Sequence, residues 1–354
     1  MIFLVLPYNL YTGWGVCSIN LAKEICKKHK VKYVSDELID QFKHNALSHS
    51  FFTSIKFDNK DFLKTQKDHP IIQGVQHDLS PYLGYFSGSK KIAITFADRE
   101  IPKELVNKAN DHYDHIIAGS EWCKNLLQQH NVKSTVIHQG IDPLIFNSSR
   151  KDKNFFLDDF LIFSGGKFEE RKGQDILIKA YKVIQDRYPD VKLVCSWYNA
   201  YTGKCGKEEL EKYGIDLNRV IFIPLSANNN MVEIYQNTDI GVFPSRCEAG
   251  TNLVMMEYMA CGKTAISSVE TGQKDLITKK NGLSLKSKGE FLLKDEKGKV
   301  VSIWEEPDSD HLIELLDWSY NNREKLTNYG LEASKTMAKK TWEHMASSLE
   351  KLII

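Results

Sequence analysis

Long hydrophobic runs are missing from this sequence. Its apolar start, Met1-Ile-Phe-Leu-Val-Leu-Pro7, stops after a handful of residues and has no basic flank. That is too short for a signal-peptide core and far below the roughly 20 residues of a membrane span, so it reads as a buried first strand. No C-x-x-C pair occurs. The seven cysteines (Cys17, Cys26, Cys123, Cys195, Cys205, Cys247 and Cys261) are an odd, scattered set. Neither a disulfide framework nor a zinc-ligand pattern fits them; they read as inert packing residues in a reduced, cytoplasmic setting. Charge of one sign is not in excess either. Lys+Arg 47 against Asp+Glu 46 leaves +1, which gives no global pull toward nucleic acid or an anionic membrane. A D-x-D triplet at a strand end is also not expected, and with it goes the usual sign of a metal-bridged diphosphate.

What is present is ordinary globular material, 42% hydrophobic and 26% charged over 354 residues, comfortable as two domains. Short β-branched runs alternate with amphipathic stretches, the pattern of parallel α/β architecture. Strands are expected at Ile2–Leu6, Val31–Val34, Ile71–Val75, Lys91–Phe96, His115–Ala118 and Thr135–His138. A second set follows at Phe160–Ser164, Lys192–Ser196, Val220–Ile223, Ile240–Phe243 and Thr264–Ser267. The polar stretch Asn147–Lys153 between the sets reads as a linker. This predicts residues 1–150 as one Rossmann-like domain and 151–334 as another, with ligands sought in a cleft beyond the strand ends. Glu290–Glu306 reads as a hairpin or an extended piece around Lys297-Gly298, and the chain from Asp308 onward as almost wholly helix.

Four stretches carry candidate chemistry. In Pro244–Gly262 a strand runs into a loop, and Thr251 or Asn252 can cap a helix that ends near Gly262. Main-chain amides at Gly250, Thr251, Asn252 and Leu253 then offer an anion site. Glu257 borders the face formed by Leu253, Met256 and Ala260. It is either a surface carboxylate paired with a lysine or an acceptor for ligand hydroxyls such as a ribose. In Phe163–Asp175, Gly166 and two basic residues, Lys167 and Lys172, can converge on one negative group; a solvated basic loop is the plainer alternative. In Tyr11–Ser18, Gly13 and Gly15 precede an expected helix Ile19–Lys28, and Asp36 follows the second strand. These form two-thirds of a dinucleotide fingerprint. His77, in Gln76-His-Asp78, sits at a strand end.

Taken together these stretches resemble the retaining nucleotide-sugar glycosyltransferases of the GT-B fold, classification family 4. Gly166-Lys-Phe-Glu-Glu-Arg-Lys-Gly173 is similar to the family's G-R-x-x-x-x-K-G motif, with Lys167 where Arg is usual, which keeps the charge and loses bidentate geometry. Thr238–Ser245 resembles the strand that ends in Pro-Ser, and Glu248 to Gly262 resembles the E-x7-E signature. Eight residues, not seven, separate Glu248 from Glu257; either Glu248 reaches the sugar through the longer loop or an amide near Gly250 takes its place. Ile117–Trp122, His138–Asp142 and Trp342 in the last helix also match family elements. That helix, about 335–354, would complete the first domain.

The resemblance implies transfer from a nucleotide-diphosphate sugar to a hydroxyl of a glycan, lipid or small molecule, with retention and without metal or other cofactor. His77 and Glu248 would position sugar hydroxyls and Lys172 would stabilise the leaving diphosphate. Gly13, Gly15, Gly166, Lys167, Gly250, Thr251, Asn252, Leu253 and Glu257 would hold the donor. The acceptor would sit in the first domain between Thr12 and Tyr85 and near Arg99. No nucleic-acid partner is expected, and the basic stretch Lys23–Lys30 is a solvated face or a weak contact with the inner membrane surface. Two rival readings stand beside this one: an NAD(P)-dependent oxidoreductase built on Gly13, Gly15 and Asp36, and a nucleotide-sugar-binding protein without turnover.

Overall fold

The computed structural model describes residues 1–36, 46–57, 59–149, 153–199 and 202–353. The chain forms two compact units, Met1–Gly140 with Lys340–Ile354, and Ile141–Lys339.

In the first unit the strands are β1 (Ile2–Val5), β2 (Val31–Val34), β3 (Ile71–Val75), β4 (Lys91–Thr95), β5 (His115–Ala118) and β6 (Thr135–Val136). They form one parallel sheet in the order β2-β1-β3-β4-β5-β6. The helices are α1 (Gly13–Cys26), α2 (Ala46–Ile55), α3 (Asn59–Thr65), α4 (Lys103–His112) and α5 (Glu121–Gln129). β1 and β3 are buried at every position, which is why β1 runs continuously apolar rather than alternating, while the one polar side chain of β3, Gln73, donates to Tyr82 O and Gly84 O. In β6 the strand ends two residues earlier than expected, with Ile137 N still donating to Ala118 O of β5 at 3.2 Å.

Helix α1 begins at Gly13, not at Ile19. Thr12 caps it by accepting from Gly15 N at 3.1 Å, so the glycines form its first turn rather than a loop before it.

The second unit holds β7 (Phe160–Gly166), α6 (Gln174–Arg187), β8 (Val191–Trp197), α7 (Lys207–Lys212), β9 (Val220–Phe222), α8 (Met231–Asn237), β10 (Ile240–Phe243), α9 (Leu253–Ala260), β11 (Thr264–Ser268) and β12 (Leu283–Leu285). Its parallel sheet runs β12-β11-β10-β7-β8-β9. β12 has no counterpart among the expected strands. The antiparallel hairpin β13 (Ser287–Lys294) and β14 (Val300–Pro307) lies where expected, followed by α10 (Ser309–Asn321) and α11 (Arg323–Met337). The core gathers Phe160, Ile162, Leu177, Tyr181, Leu193 and Ile240 with Leu312 and Leu316 of α10. Helix α9 is more deeply buried than a sheet-packing face requires, with Met255, Tyr258 and Met259 buried beside Leu253, Met256 and Ala260.

The last helix, α12 (Trp342–Ile353), belongs to the first unit. Trp342 is buried there, Met345 Sδ lies 3.9 Å from Cys17 Sγ on α1, and a side chain at Gly140 would overlap the Thr341–Trp342 backbone.

The stretch read as a linker is not the boundary. Residues 150–152 lie outside the described residues, but Lys153 Nζ donates to Asp239 Oδ2 at 2.7 Å, and Asn154 N to Asn237 Oδ1 at 2.7 Å. Lys153 and Asn154 are therefore held within the second unit, and the units part at Gly140 and at Lys339.

No helix among the described residues is long and apolar enough to cross a membrane. Six cysteines are buried or half-buried, as packing residues should be, while Cys205 is exposed.

Candidate functional site

In an open parallel sheet the loops leaving neighbouring strands diverge where the strand order reverses, and a ligand fits between them. In the second unit that point lies between β7 and β10. β7 ends in Gly165-Gly166, with Gly166 at φ 124°. A 3-10 turn over Glu170–Lys172 follows, and Gly173 at φ 66° opens α6. A side chain at Gly173 would overlap the Pro244 carbonyl oxygen, so glycine there lets the two loops touch.

This packing brings together five of the residues singled out in the sequence. Lys172 Nζ donates to Glu248 Oε1 at 2.6 Å, and that oxygen also accepts from Ser245 Oγ at 2.7 Å and Asn252 Nδ2 at 3.1 Å. Glu248 Oε2 accepts from Arg171 Nη1 at 2.9 Å. Arg171 continues to Glu169 at 2.8 Å, and Glu169 pairs with Lys167 Nζ at 2.8 Å. Lys167 and Lys172 thus lie at the two ends of one chain of charges, with Lys172 packed against Gly166. Burial would push the Glu248 carboxyl up, but Lys172 and Arg171 outweigh it and hold it below the usual carboxylate range. Burial also draws the Lys172 ammonium below its ordinary value, with Glu248 opposing. An ammonium poised this way has partners to exchange for a phosphate.

The loop Pro244–Asn252 is buried throughout. Asn252, at φ 60°, caps α9 by accepting from Met255 N, and Thr251 Oγ1 turns to Met256 Sδ at 2.9 Å. The main-chain N–H groups of Gly250, Thr251, Leu253 and Val254 donate to nothing among the described residues. A helix N-terminus with unmatched amides is an anion site.

Glu257, on α9, is not a surface carboxylate paired with a lysine. It is 3% exposed, takes a hydrogen bond from Asn228 Nδ2 on Oε1, and accepts from Tyr235 OH on Oε2 at 3.1 Å. Burial raises its pKa to about 8 against the pull of those two donors. A carboxyl of this kind is mostly neutral at pH 7 and can donate as well as accept.

Sequence reasoning passed over Arg171, Ser245, Arg246, Asn228 and Tyr235. Arg246 is 3% exposed, with its guanidinium fully engaged. It forms two hydrogen bonds to Asp175 (2.8 and 2.7 Å) and two to Glu306 (2.5 and 3.0 Å), and it lies 4.4 Å over the Phe291 ring. Its own N–H donates to Arg171 O at 2.9 Å. One arginine therefore clamps the hairpin, the start of α6 and the site loop. The signal available was its place one residue after the Pro-Ser strand end.

The D-x-D expectation needs correction. Asp308-Ser-Asp310 does follow β14, but Asp308 Oδ1 accepts from Asp310 N at 2.9 Å and from His311 N at 3.4 Å. This aspartate caps α10.

The first unit holds the other expected residues. His77 lies in the turn after β3, where Asp78 Oδ1 accepts from Ser80 N at 2.8 Å and Leu79 adopts φ 67°. Gly13 has open space around it. Gly15 does not, because a side chain there would overlap Asn9, whose Oδ1 accepts from Tyr11 N and Thr12 N. The close approach at Gly15 is by the chain itself. Asp36 is engaged by the Tyr82 hydroxyl, and Arg99 Nε donates to Asp98 at 2.8 Å. The fingerprint behind the dinucleotide reading is therefore occupied at both Gly15 and Asp36.

Two Rossmann-like α/β units, the second with a phosphate-competent loop pair at its switch point, define the class as the GT-B glycosyltransferase architecture. Sucrose-phosphate synthase from Thermosynechococcus elongatus superposes with a TM-score of 0.72 at 14% identity, covering 99% of this chain and 97% of that one. The Anabaena protein HepE in complex with UDP superposes at 0.72 and 15% identity over 99% of both chains. Residues 146–336 match the family model described as glycosyl transferases group 1, and the chain belongs to that family. Among curated proteins, a D-inositol 3-phosphate glycosyltransferase of Mycobacteroides abscessus is 24% identical over 174 residues. That match covers 46% of this chain and 38% of the relative's length.

Proposed function

We propose that this glycosyltransferase moves a hexosyl group, with retention as in family 4, from a nucleotide-diphosphate sugar to an acceptor hydroxyl. The observation that carries the proposal is the chain of charges Lys167–Glu169–Arg171–Glu248–Lys172, centred on the buried Glu248 and joined through Asn252 to the start of α9, where the amides of Gly250, Thr251 and Leu253 are unmatched. HepE, solved with UDP, supports a nucleoside diphosphate as the guest.

In this reading the diphosphate replaces part of the Glu248 contact to Lys172. As the bond between the anomeric carbon and the phosphate oxygen breaks, the oxygen's growing charge falls on Lys172, Lys167 and the helix amides. The acceptor oxygen forms the new bond to the anomeric carbon and loses its proton to the departing phosphate side, so no protein nucleophile takes part. Glu257 trades its hydrogen bonds from Asn228 and Tyr235 for the ribose hydroxyls. Gly13, with open space beside it, would lend a main-chain group, and His77 a contact to a sugar hydroxyl. The lysines supply the positive charge that a divalent ion would otherwise bring. The acceptor is a glycan, lipid or small molecule, and the setting is cytoplasmic with at most a weak membrane contact.

The full set of donors around Glu248 favours a second reading, a donor-binding protein without turnover, because a carboxylate held by four groups is not free for a sugar. One assay separates the two. Nucleotide release is followed with UDP-, GDP- and ADP-sugars, with and without EDTA, in the native protein and Lys172→Ala. Release that survives EDTA and is lost in the variant supports the transferase. Donor binding without release supports the silent binder. Equal release in both proteins removes the role given to Lys172.

A further inference from the structure

We propose that the first unit carries an anion site for a phosphate ester, in the cavity between β6 and α12. The cavity measures about 330 Å³, and its chemistry is one-sided. His138, Lys340, His344 and Lys351 line it with the hydroxyls of Thr135 and Ser348, and no aspartate or glutamate does. Lys340 Nζ lies 3.1 Å from His138 Nδ1. No carboxylate among the described residues pairs with Lys340, His344 or Lys351, whereas Lys28, packed against another side of the same helix, is matched by Glu350 at 3.0 Å.

Like charges gathered in one cavity repel, and a bound anion relieves that repulsion while accepting from several donors at once. Thr341 Oγ1 accepts from His344 N at 3.2 Å, which leaves its proton to donate. The volume is at the small end of ligand pockets, room for a phosphate with a modest organic group. Every lining residue falls in 135–139 or 340–352 of the first unit, so the site shares no residue with the Lys172–Glu248 cluster. The ester is either a free phosphorylated molecule or a phospholipid headgroup at a bilayer surface.

The test uses the full chain and thermal denaturation at constant ionic strength. Inorganic phosphate and glycerol 3-phosphate are titrated against chloride. A saturable rise in melting temperature is expected in the native protein and in Lys172→Ala. In Lys340→Ala/Lys351→Ala, and in His344→Gln on the exposed side of α12, the midpoint concentration should rise roughly tenfold or more, the loss of one charge-assisted hydrogen bond. Flotation with phosphatidylglycerol against phosphatidylcholine vesicles assigns the source. Phosphatidylglycerol binding lost in the double variant points to a headgroup; a response to glycerol 3-phosphate alone points to a free ester. A rise that chloride reproduces, or that Lys172→Ala abolishes while the double variant keeps it, overturns the proposal.

Discussion

At Glu248 four donors converge on two buried oxygens, and Lys172 is the one that also lies against the glycine at the end of β7. Lys172→Ala removes the cation meant to meet the leaving group while Arg171 still satisfies the other oxygen. Steady-state turnover should therefore drop by about 2–4 kcal/mol of transition-state stabilisation, roughly thirty- to a thousandfold in kcat, with the fold intact by circular dichroism. A loss seen only in KM would mean that the lysine binds ground and transition states alike. Glu257 yields a different expectation. Its folded pKa, about 8, lies above the unfolded value near 4.5. The folded state holds a proton that the unfolded state has released, so the stability present below about pH 4.5 is lost as pH rises toward 8. The slope approaches about 1.4 kcal/mol per pH unit. In Glu257→Gln the melting temperature should fall less between pH 5 and 8 than in the native protein. Parallel pH profiles would mean that Glu257 is ionised when folded.

The hairpin shows how one element depends on one side chain. Phe291 lies under Arg246, and Glu306 on β14 binds it twice. Arg246→Met leaves Asp175 and Glu306 without their partner. Both are partly exposed, at 35% and 23%, so the cost should fall below that of a fully buried pair, about 2 kcal/mol by urea titration. Amide exchange should quicken in residues 287–307 and not in β7 or β8; an unchanged hairpin would show that Arg246 does not hold it. The hairpin was legible because Gly298, at φ 79°, sits between an apolar run, Phe291–Leu293, and a second run, Val300–Trp304, rich in β-branched and aromatic residues. The parallel strands were legible for a similar reason, as short apolar runs separated by amphipathic ones. The start of α1 was not, since Gly13 and Gly15 look like a loop until Asn9 is seen filling the space beside Gly15. β12 has only three residues between turns, too few for a pattern. The site divides the same way. Lys167, Lys172 and Glu248 stood out by spacing. The partners of Glu257 lie 29 and 22 residues away in sequence, and no local pattern connects them.

For the whole molecule, the net charge of +1 means that attraction to a phosphorylated guest has to be local. Lys167, Arg171 and Lys172 share Glu169 and Glu248 within the cluster, next to the unmatched amides at the start of α9. A nucleoside diphosphate held there binds the folded chain and not the unfolded one. At a concentration of 100 times its dissociation constant it should stabilise the fold by about 2.7 kcal/mol. For units of this size that corresponds to a rise in melting temperature of roughly 5–10 °C. Lys172→Ala should lose most of the rise. Lys340→Ala/Lys351→Ala, whose changes lie in the first unit, should keep it, and so the donor response separates from any response at the β6–α12 cavity. Because Lys172 and Glu248 are largely buried, raising salt from 50 to 200 mM should weaken the response only modestly. A steep salt dependence, or a rise that Lys172→Ala preserves in full, would place the diphosphate on an exposed basic surface instead of at the junction of β7 and β10.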